Sequence, residues 1–226
     1  GKTAFAVRVA RLINAFCKEG ALPYSGCHII SADSRQVYRG MDIGTGKDIA
    51  EYGEIPYHLI DIAEAGEKYD LFRYKKDFQK VYSELKKENI FPILCGGSGL
   101  YIEAVCKDYD LKEVAPDPDL GKELEQKSTE ELVSMLTDLK TKHGTEPHNN
   151  TDFDTRKRVI RAIEIEMAYD NIPQKKESFE GPKKVHYLAL NPDRELRNHK
   201  IDRRLEERLN NGMVDEVKAL LNKGII

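Results

Sequence analysis

A chain of 226 residues, 40% apolar and 33% charged, can bury a core of its own, and it has no apolar run near the ~20 residues that cross a bilayer. Its formal charge of -3 excludes a global basic field, so a nucleic-acid partner would have to be held by a local patch. Cys17, Cys27, Cys95 and Cys106 form no C-x-x-C pair, which excludes the common zinc patterns and predicts reduced, mostly buried thiols in a cytoplasmic protein.

The chain opens on Gly1-Lys2-Thr3, followed by a helical pattern over residues 4 to 19 with Phe5, Val9, Leu12, Ile13 and Phe16 on one face. Gly-Lys-Thr at a helix start is what would remain if a G-x-x-x-x-G-K-S/T phosphate loop were cut at its second glycine, and that reading predicts a strand and turn upstream in a longer protein. Unpaired N–H groups at the helix start and the Lys2 cation suit a phosphate, and the Thr3 hydroxyl suits Mg²⁺. The tripeptide taken alone also fits an ordinary helix start.

Cys27 to Ser31 is a short apolar run typical of a buried parallel strand. It delivers Asp33 and Ser34 to the strand's end, then Arg35, Gln36, Arg39 and a segment rich in glycine up to Lys47. Strand ends of open α/β sheets point into the ligand crevice, although an Asp after a strand is often only a turn former. Tyr57 to Ile62 reads as a second strand. Residues 70 to 89 form a helix with Leu71, Phe72, Phe78, Val81, Tyr82 and Leu85 inward. Phe91 to Cys95 is a third strand, entering Gly96-Gly97-Ser98-Gly99 and a short helix through Tyr101, Ala104 and Val105.

From about residue 110 the pattern changes to charged helices over 119 to 127 and 129 to 141. Asn149 to Asp152 offers N-caps for a helix running to Tyr169, with Val159, Ile160, Ile163 and Met167 inward and Arg156, Lys157, Arg158 and Arg161 outward. A polar loop follows over 172 to 184, then a strand over Val185 to Leu190. A single helix over 194 to 222 carries Ile201, Leu205, Leu209, Met213, Val217 and Leu220 in one stripe. Alternating strands and helices imply an α/β fold with a mostly parallel, helix-covered sheet. The expected organisation is a core over 1–110, an inserted helical lobe over 111–170, and a return to the core over 171–226.

The run Ser31 to Lys47, SADSRQVYRGMDIGTGK, resembles the corresponding segment of the tRNA dimethylallyltransferases (isopentenyl-diphosphate:tRNA transferases). Gly96-Gly97-Ser98-Gly99-Leu100-Tyr101 is similar to that family's G-G-T-x-L-Y turn, with Ser for Thr, and Lys157 to Arg161 aligns with its tRNA-contacting Q-R-L-S-R segment. The resemblance implies a P-loop NTPase-like fold and transfer of a dimethylallyl group from its diphosphate to N6 of an adenosine beside the tRNA anticodon. It implies that Gly1, Lys2 and Thr3 hold the diphosphate, with Mg²⁺ at Thr3, and that Asp33 faces the reacting amine with Ser98 beside it. Asp33, Ser34, Arg35, Gln36, Ser98, Lys157, Arg158, Val159, Ile160 and Arg161 would contact tRNA, and the protein would act as a monomer away from membranes. The family's diphosphate-neutralising arginine in D-P-x-x-R falls here on Gly121, with Lys122 next to it.

Three other readings stay open on the residues alone. One is an adenylate isopentenyltransferase acting on free nucleotide, and another is a P-loop small-molecule kinase, since the same cradle serves phosphoryl transfer. The third is an RNA-binding protein with weakened catalysis.

Overall fold

The computed structural model describes residues 1–109, 111, 114–144, 153, 155–169, 179 and 181–225. They divide into two compact units, Gly1–Tyr109 with Phe179–Ile226, and Asp110–Ser178.

The first unit is built on three parallel strands, β1 (Gly26–Ala32), β2 (Tyr57–His58) and β3 (Ile90–Gly96), in the order β2-β1-β3. Strand β1 is central because its alternate side chains are apolar on both faces, as a strand covered on both sides requires. Cys27 and Ile29 pack with Ala6, Val7 and Ala10 of α1 (Lys2–Lys18), while Ile30 and Ala32 pack with Tyr74, Phe78 and Leu85 of α2 (Leu71–Lys87) and with Tyr101 and Val105 of α3 (Gly99–Cys106). Burial pushes the Cys27 thiol up to about 12, so it stays protonated, and all four cysteines are free thiols.

Helix α1 is turned away from the expected face. Phe5, Leu12 and Phe16 are exposed and the small residues Ala6 and Ala10 are buried instead. Short side chains let the helix approach the sheet closely, and that close packing outweighs the larger residues' preference for burial. Helix α2 holds the expected face, with Asp70 capping its first turn through Arg73 N–H, and adds the fully buried Tyr74, whose hydroxyl donates to the Ser31 carbonyl (3.1 Å).

The second strand pairs only at Tyr57 and His58, because Leu59 and Asp61 turn out of it with φ of 61° and 56°. Residues 185–190 form no strand. Tyr187 and Leu188 are 67% and 74% exposed, and alternation alone cannot make a strand without an edge to pair with. The expected single C-terminal helix is two, α7 (Arg194–Asn210) and α8 (Met213–Asn222), broken where Gly212 adopts φ 96°. Ile201, Leu205 and Leu209 on α7 are exposed rather than inward.

His28 of β1 and His58 of β2 meet ring to ring, with Nδ1 of His28 3.0 Å from Nε2 of His58 and centroids 5.2 Å apart. Burial lowers both pKa values, and His28 lowers that of His58 further, against an opposing pull from Glu88 on both rings and from Glu84 on His58. Folded values below the ordinary ~6.5 mean that the unfolded chain binds more protons in acid. The pair's contribution to stability is therefore complete above about pH 6.5 and is lost as the pH falls through the folded values. Urea midpoints are expected to drop between pH 7 and 5, and His58→Phe should reduce that slope; an unchanged slope would exclude the pair as its source.

The second unit contains α4 (Pro118–Leu124), α5 (Thr129–His143) and α6 (Arg156–Ala168), packed around Leu124, Leu132, Leu136, Val159 and Ile163. Ser128 and Glu131 form a capping box that starts α5, and Thr155 caps α6. The expected caps Asn149 to Asp152, and residues 172 to 178 of the expected polar loop, lie outside the described residues. Met167 is 42% exposed and Glu166 takes an inward position, accepting from Lys140 (3.4 Å) and His143 (2.9 Å). No described helix is long and apolar enough to cross a membrane.

Candidate active site

Strands β1 and β3 run in register to their last residues, Ala32 opposite Gly96, so the segments that follow both leave the sheet at one point. A side chain on Gly96 would lie 2.0 Å from the Ala32 carbonyl oxygen, so the two backbones touch with nothing between them. Asp33 and Ser98 are thereby brought together.

Ser98 stands at the N-cap position of α3, yet its side chain caps nothing. Its hydroxyl instead accepts from the Ser34 backbone N–H (2.9 Å) and donates to the Ser34 hydroxyl (3.1 Å), joining the two strand-end loops. Asp33 divides its two oxygens. Oδ1 accepts from Arg35 N–H (3.0 Å), a local turn bond, and Oδ2 lies 4.0 Å from where a Gly97 side chain would begin. The Lys2 ammonium is 3.6 Å from that same point. Cation and carboxylate therefore share one opening over an exposed glycine. Cys95 registers both charges: burial raises its pKa, Lys2 lowers it and Asp33 raises it.

Of the segment after Asp33, Arg35 is exposed, whereas Gln36 is buried. The Gln36 amide donates to the Gly46 carbonyl (3.0 Å) and accepts from the Ser31 hydroxyl (3.4 Å), so it braces the loop from within.

Lys47 is 1% exposed, and its ammonium donates to the Tyr38 carbonyl (2.6 Å), Asp42 (2.5 Å) and Asp61. A buried ammonium needs such compensation. Nothing in the local pattern around Lys47 distinguishes it from a solvated lysine.

Burial raises the pKa of the Tyr52 phenol and the neighbouring Thr3 side chain lowers it. Thr3 sits in the first turn of α1 and offers a hydroxyl oxygen, the hard donor that Mg²⁺ takes, so its chemistry fits the role implied by the resemblance. Among the described residues no cluster of three acidic, His or Cys side chains is arranged to hold a metal by itself. Beside Gly1 lies a hollow of about 420 Å³ lined by the basic residues Arg197, Lys200, Arg204 and Arg208 together with Pro192, Ile201 and Leu205, its surface more apolar than polar. In the sequence these cations look like part of an ordinary charged helix, because Glu195, Asp202, Glu206 and Glu207 are interspersed with them.

In the second unit the four basic residues of α6 have different tasks. Arg156 donates to the carbonyls of Leu124, Glu125 (2.7 Å) and Lys127, closing the C-terminal end of α4. Arg161 donates to Glu164 (2.7 Å) and to the Val114 carbonyl. Lys157 and Arg158 are exposed. The expectation of RNA contact fails for the side chains of Val159 and Ile160, which are 0% and 9% exposed, because the apolar face of α6 requires them in the core. Gly121 sits within α4, where an added side chain would meet the Glu164 carboxylate at 3.5 Å. Lys122 points to Asp119 (3.6 Å), and Arg161 supplies the cation that Glu164 faces.

Residues 36–226 match the family model described as IPP transferase. The chain is 47% identical to tRNA dimethylallyltransferase 2 of Bacteroides fragilis and 46% identical to tRNA dimethylallyltransferase 1 of Parabacteroides distasonis, in each case over all of this chain and 69% of the relative. Among solved structures it is similar to the tRNA isopentenylpyrophosphate transferase of Bacillus halodurans, with a TM-score of 0.63 and 30% identity over all of this chain and 67% of that one. A eukaryotic dimethylallyltransferase acting on tRNA shares the fold, with a TM-score of 0.71 at 20% identity over 99% of this chain and 53% of that one. The parallel sheet between helices is a P-loop NTPase-like α/β fold, and the chain belongs to the tRNA dimethylallyltransferase family.

Proposed function

We propose that this chain transfers a dimethylallyl group from dimethylallyl diphosphate to N6 of an adenosine next to the tRNA anticodon. The observation that carries this reading is the opening over Gly97, where the Lys2 cation and the Asp33 carboxylate stand within 3.6 and 4.0 Å of one point. An exocyclic adenine amine is a weak nucleophile, and an allylic diphosphate reacts only when the departing charge is stabilised. The two charges answer these two needs.

In the reaction the N6 nitrogen bonds to the allylic carbon as that carbon's bond to the diphosphate oxygen breaks. Asp33 takes the N6 proton through the oxygen that is not engaged by Arg35 N–H. Lys2 and the free N–H groups at the start of α1 receive the diphosphate, with Arg204, whose guanidinium lies 3.2 Å from where a Gly1 side chain would begin, as further counter-charge. Mg²⁺ held by the Thr3 hydroxyl and the diphosphate itself would neutralise charge on the leaving group. The Ser98 to Ser34 bridge keeps the strand-end loops together while the base enters, and a base inside an RNA loop must be turned out to reach such a pocket.

Labelled dimethylallyl diphosphate, incubated with tRNA, with AMP, or with ATP and no acceptor, tests the reading. Label in N6 of tRNA adenosine is the expected outcome. Label in AMP alone would assign the chain to free nucleotide, and ATP hydrolysis without prenyl transfer would assign it to phosphoryl chemistry.

On the RNA side, the exposure of Lys157 and Arg158 on α6 supports a role for them as phosphate contacts. Arg158→Ala should weaken tRNA binding and reduce the slope of log affinity against log salt by about 0.7–0.9, as one lost phosphate contact does. Arg161→Ala should instead lower the thermal stability of the protein, because it strips Glu164 and the Val114 carbonyl of their donor. An unchanged salt slope for Arg158→Ala would return that residue to a solvated helix face.

A further inference from the structure

Glu216 stands in the first turn of α8, more than 170 residues from the loop it serves. Its Oε2 accepts from the backbone N–H groups of Asp42 (2.7 Å) and Ile43 (2.8 Å), and its Oε1 from that of Gly44 (2.9 Å). Three successive amides of an exposed loop are thus satisfied by one side chain from another element. Gly44 also leaves little room there, since an added side chain would lie 3.3 Å from Oε1. From α7, Arg208 donates to the Gly44 carbonyl (3.4 Å) and lies across Gly46, where a side chain would collide with its guanidinium at 1.7 Å. The two helices therefore hold the loop by both its donors and its acceptors.

On its inner side the same loop is tied to the segment bearing Asp33. Asp42, whose N–H meets Glu216, gives its carboxylate to the buried Lys47, and Lys47 also holds the Tyr38 carbonyl. The Gly46 carbonyl accepts from Gln36, three residues beyond Asp33. Charge-assisted hydrogen bonds thus run from α8 through Asp42 and Lys47 to the Tyr38 carbonyl, and the neutral bond from Gln36 joins the same loop to the chain three residues beyond Asp33. The charge-assisted bonds are the stronger class, and a displacement of about 1 Å at a reacting group can cost ~10²-fold in rate.

We propose that Glu216 is a positioning residue for the prenyl transfer, fixing the Asp42 to Gly46 loop and through it the Asp33 carboxylate; this rests on the function proposed above. Both carboxylate oxygens are needed, because the three N–H groups are divided between them. Glu216→Gln turns an NH₂ group toward an N–H on one side, so it should fail nearly as badly as Glu216→Ala despite its matching size.

The test uses the full-length protein with tRNA and labelled dimethylallyl diphosphate. Glu216→Gln is expected to lower kcat about 10²-fold, with KM for both substrates within about 3-fold of wild type and an unchanged far-ultraviolet spectrum. Amide exchange in the same variant should accelerate at residues 42–44 while Ile29 and Ile30 in the central strand stay protected. A kcat within 2-fold of wild type, or exchange at 42–44 that does not change, would overturn the proposal. If Glu216→Ala does not fold, Glu216→Gln still decides. Absence of prenyl transfer by the wild-type protein would overturn the functional reading instead, and the exchange pattern would still judge the clamp.

Discussion

Asp33→Ala is expected to lower turnover by about 10²–10⁴-fold while tRNA affinity stays within a few-fold of wild type, the loss typical of a removed general base. The structure makes the companion variant Asp33→Asn informative. One carboxylate oxygen serves the Arg35 N–H and the other faces the opening above Gly97. Asparagine can keep the turn bond through its carbonyl oxygen but cannot take a proton, so a turn-forming role predicts near-normal turnover for Asn and a loss only for Ala. A base predicts that both are lost. Single-turnover prenyl transfer, measured beside filter binding of tRNA, separates the two, and near-normal rates in either variant would remove Asp33 from the chemistry.

Gly96→Ala is expected to cost about 3 kcal/mol or more in urea unfolding and to abolish transfer in whatever folded protein remains. The added methyl would sit 2.0 Å from the Ala32 carbonyl oxygen and 2.2 Å from its carbon. Neither atom belongs to a side chain that could swing away, so the strand ends must part. Parting them breaks the bond from Ser98 N–H to the Ala32 carbonyl (3.0 Å) and separates the Ser34 and Ser98 hydroxyls. Gly99→Ala is the control: nothing lies within 4 Å of the added carbon, and the site is the first residue of α3, where alanine is favoured. Equal stability of the two variants would refute the close approach at Gly96.

The strands on either side of this contact were legible because a buried parallel strand is a short apolar run ended by polar residues, as Cys27 to Ser31 and Phe91 to Cys95 are. The face of α2 was legible for the same kind of reason, a broad apolar stripe. The face of helix α1 is not legible from side-chain size, since Ala6 and Ala10 are buried and Phe5, Leu12 and Phe16 are not. Residues 185–190 and the break at Gly212 failed differently: periodicity describes which face a segment would present, not whether a partner strand exists or whether a glycine ends the run.

At the candidate site, Asp33, Ser98 and Lys2 could be named from local motifs, and the folded chain gathers them at one strand end. The pairing of the Ser98 hydroxyl with Ser34 could not be read, since an N-cap serine and a bridging serine look the same in a sequence. Lys47 and Glu216 were invisible for a related reason. Their significance lies in partners that only the folded chain supplies, 14 residues away for Asp61 and 174 for Asp42. The α6 cluster carried the opposite risk, because Arg156, Lys157, Arg158 and Arg161 read as one patch while Arg156 and Arg161 hold the lobe together.

The contact between Gly96 and Ala32 also bears on how freely such a chain can change over time. The separation of the two strand ends is set where two main chains meet, with no side chain acting as a spacer. Substitutions among the apolar residues beneath, such as Ile30, Phe78 or Val105, can therefore accumulate as a cost in stability alone, without retuning the chemistry above them. Drift in the interior and constancy of the reaction are separable here, and the position that ties them together is a glycine.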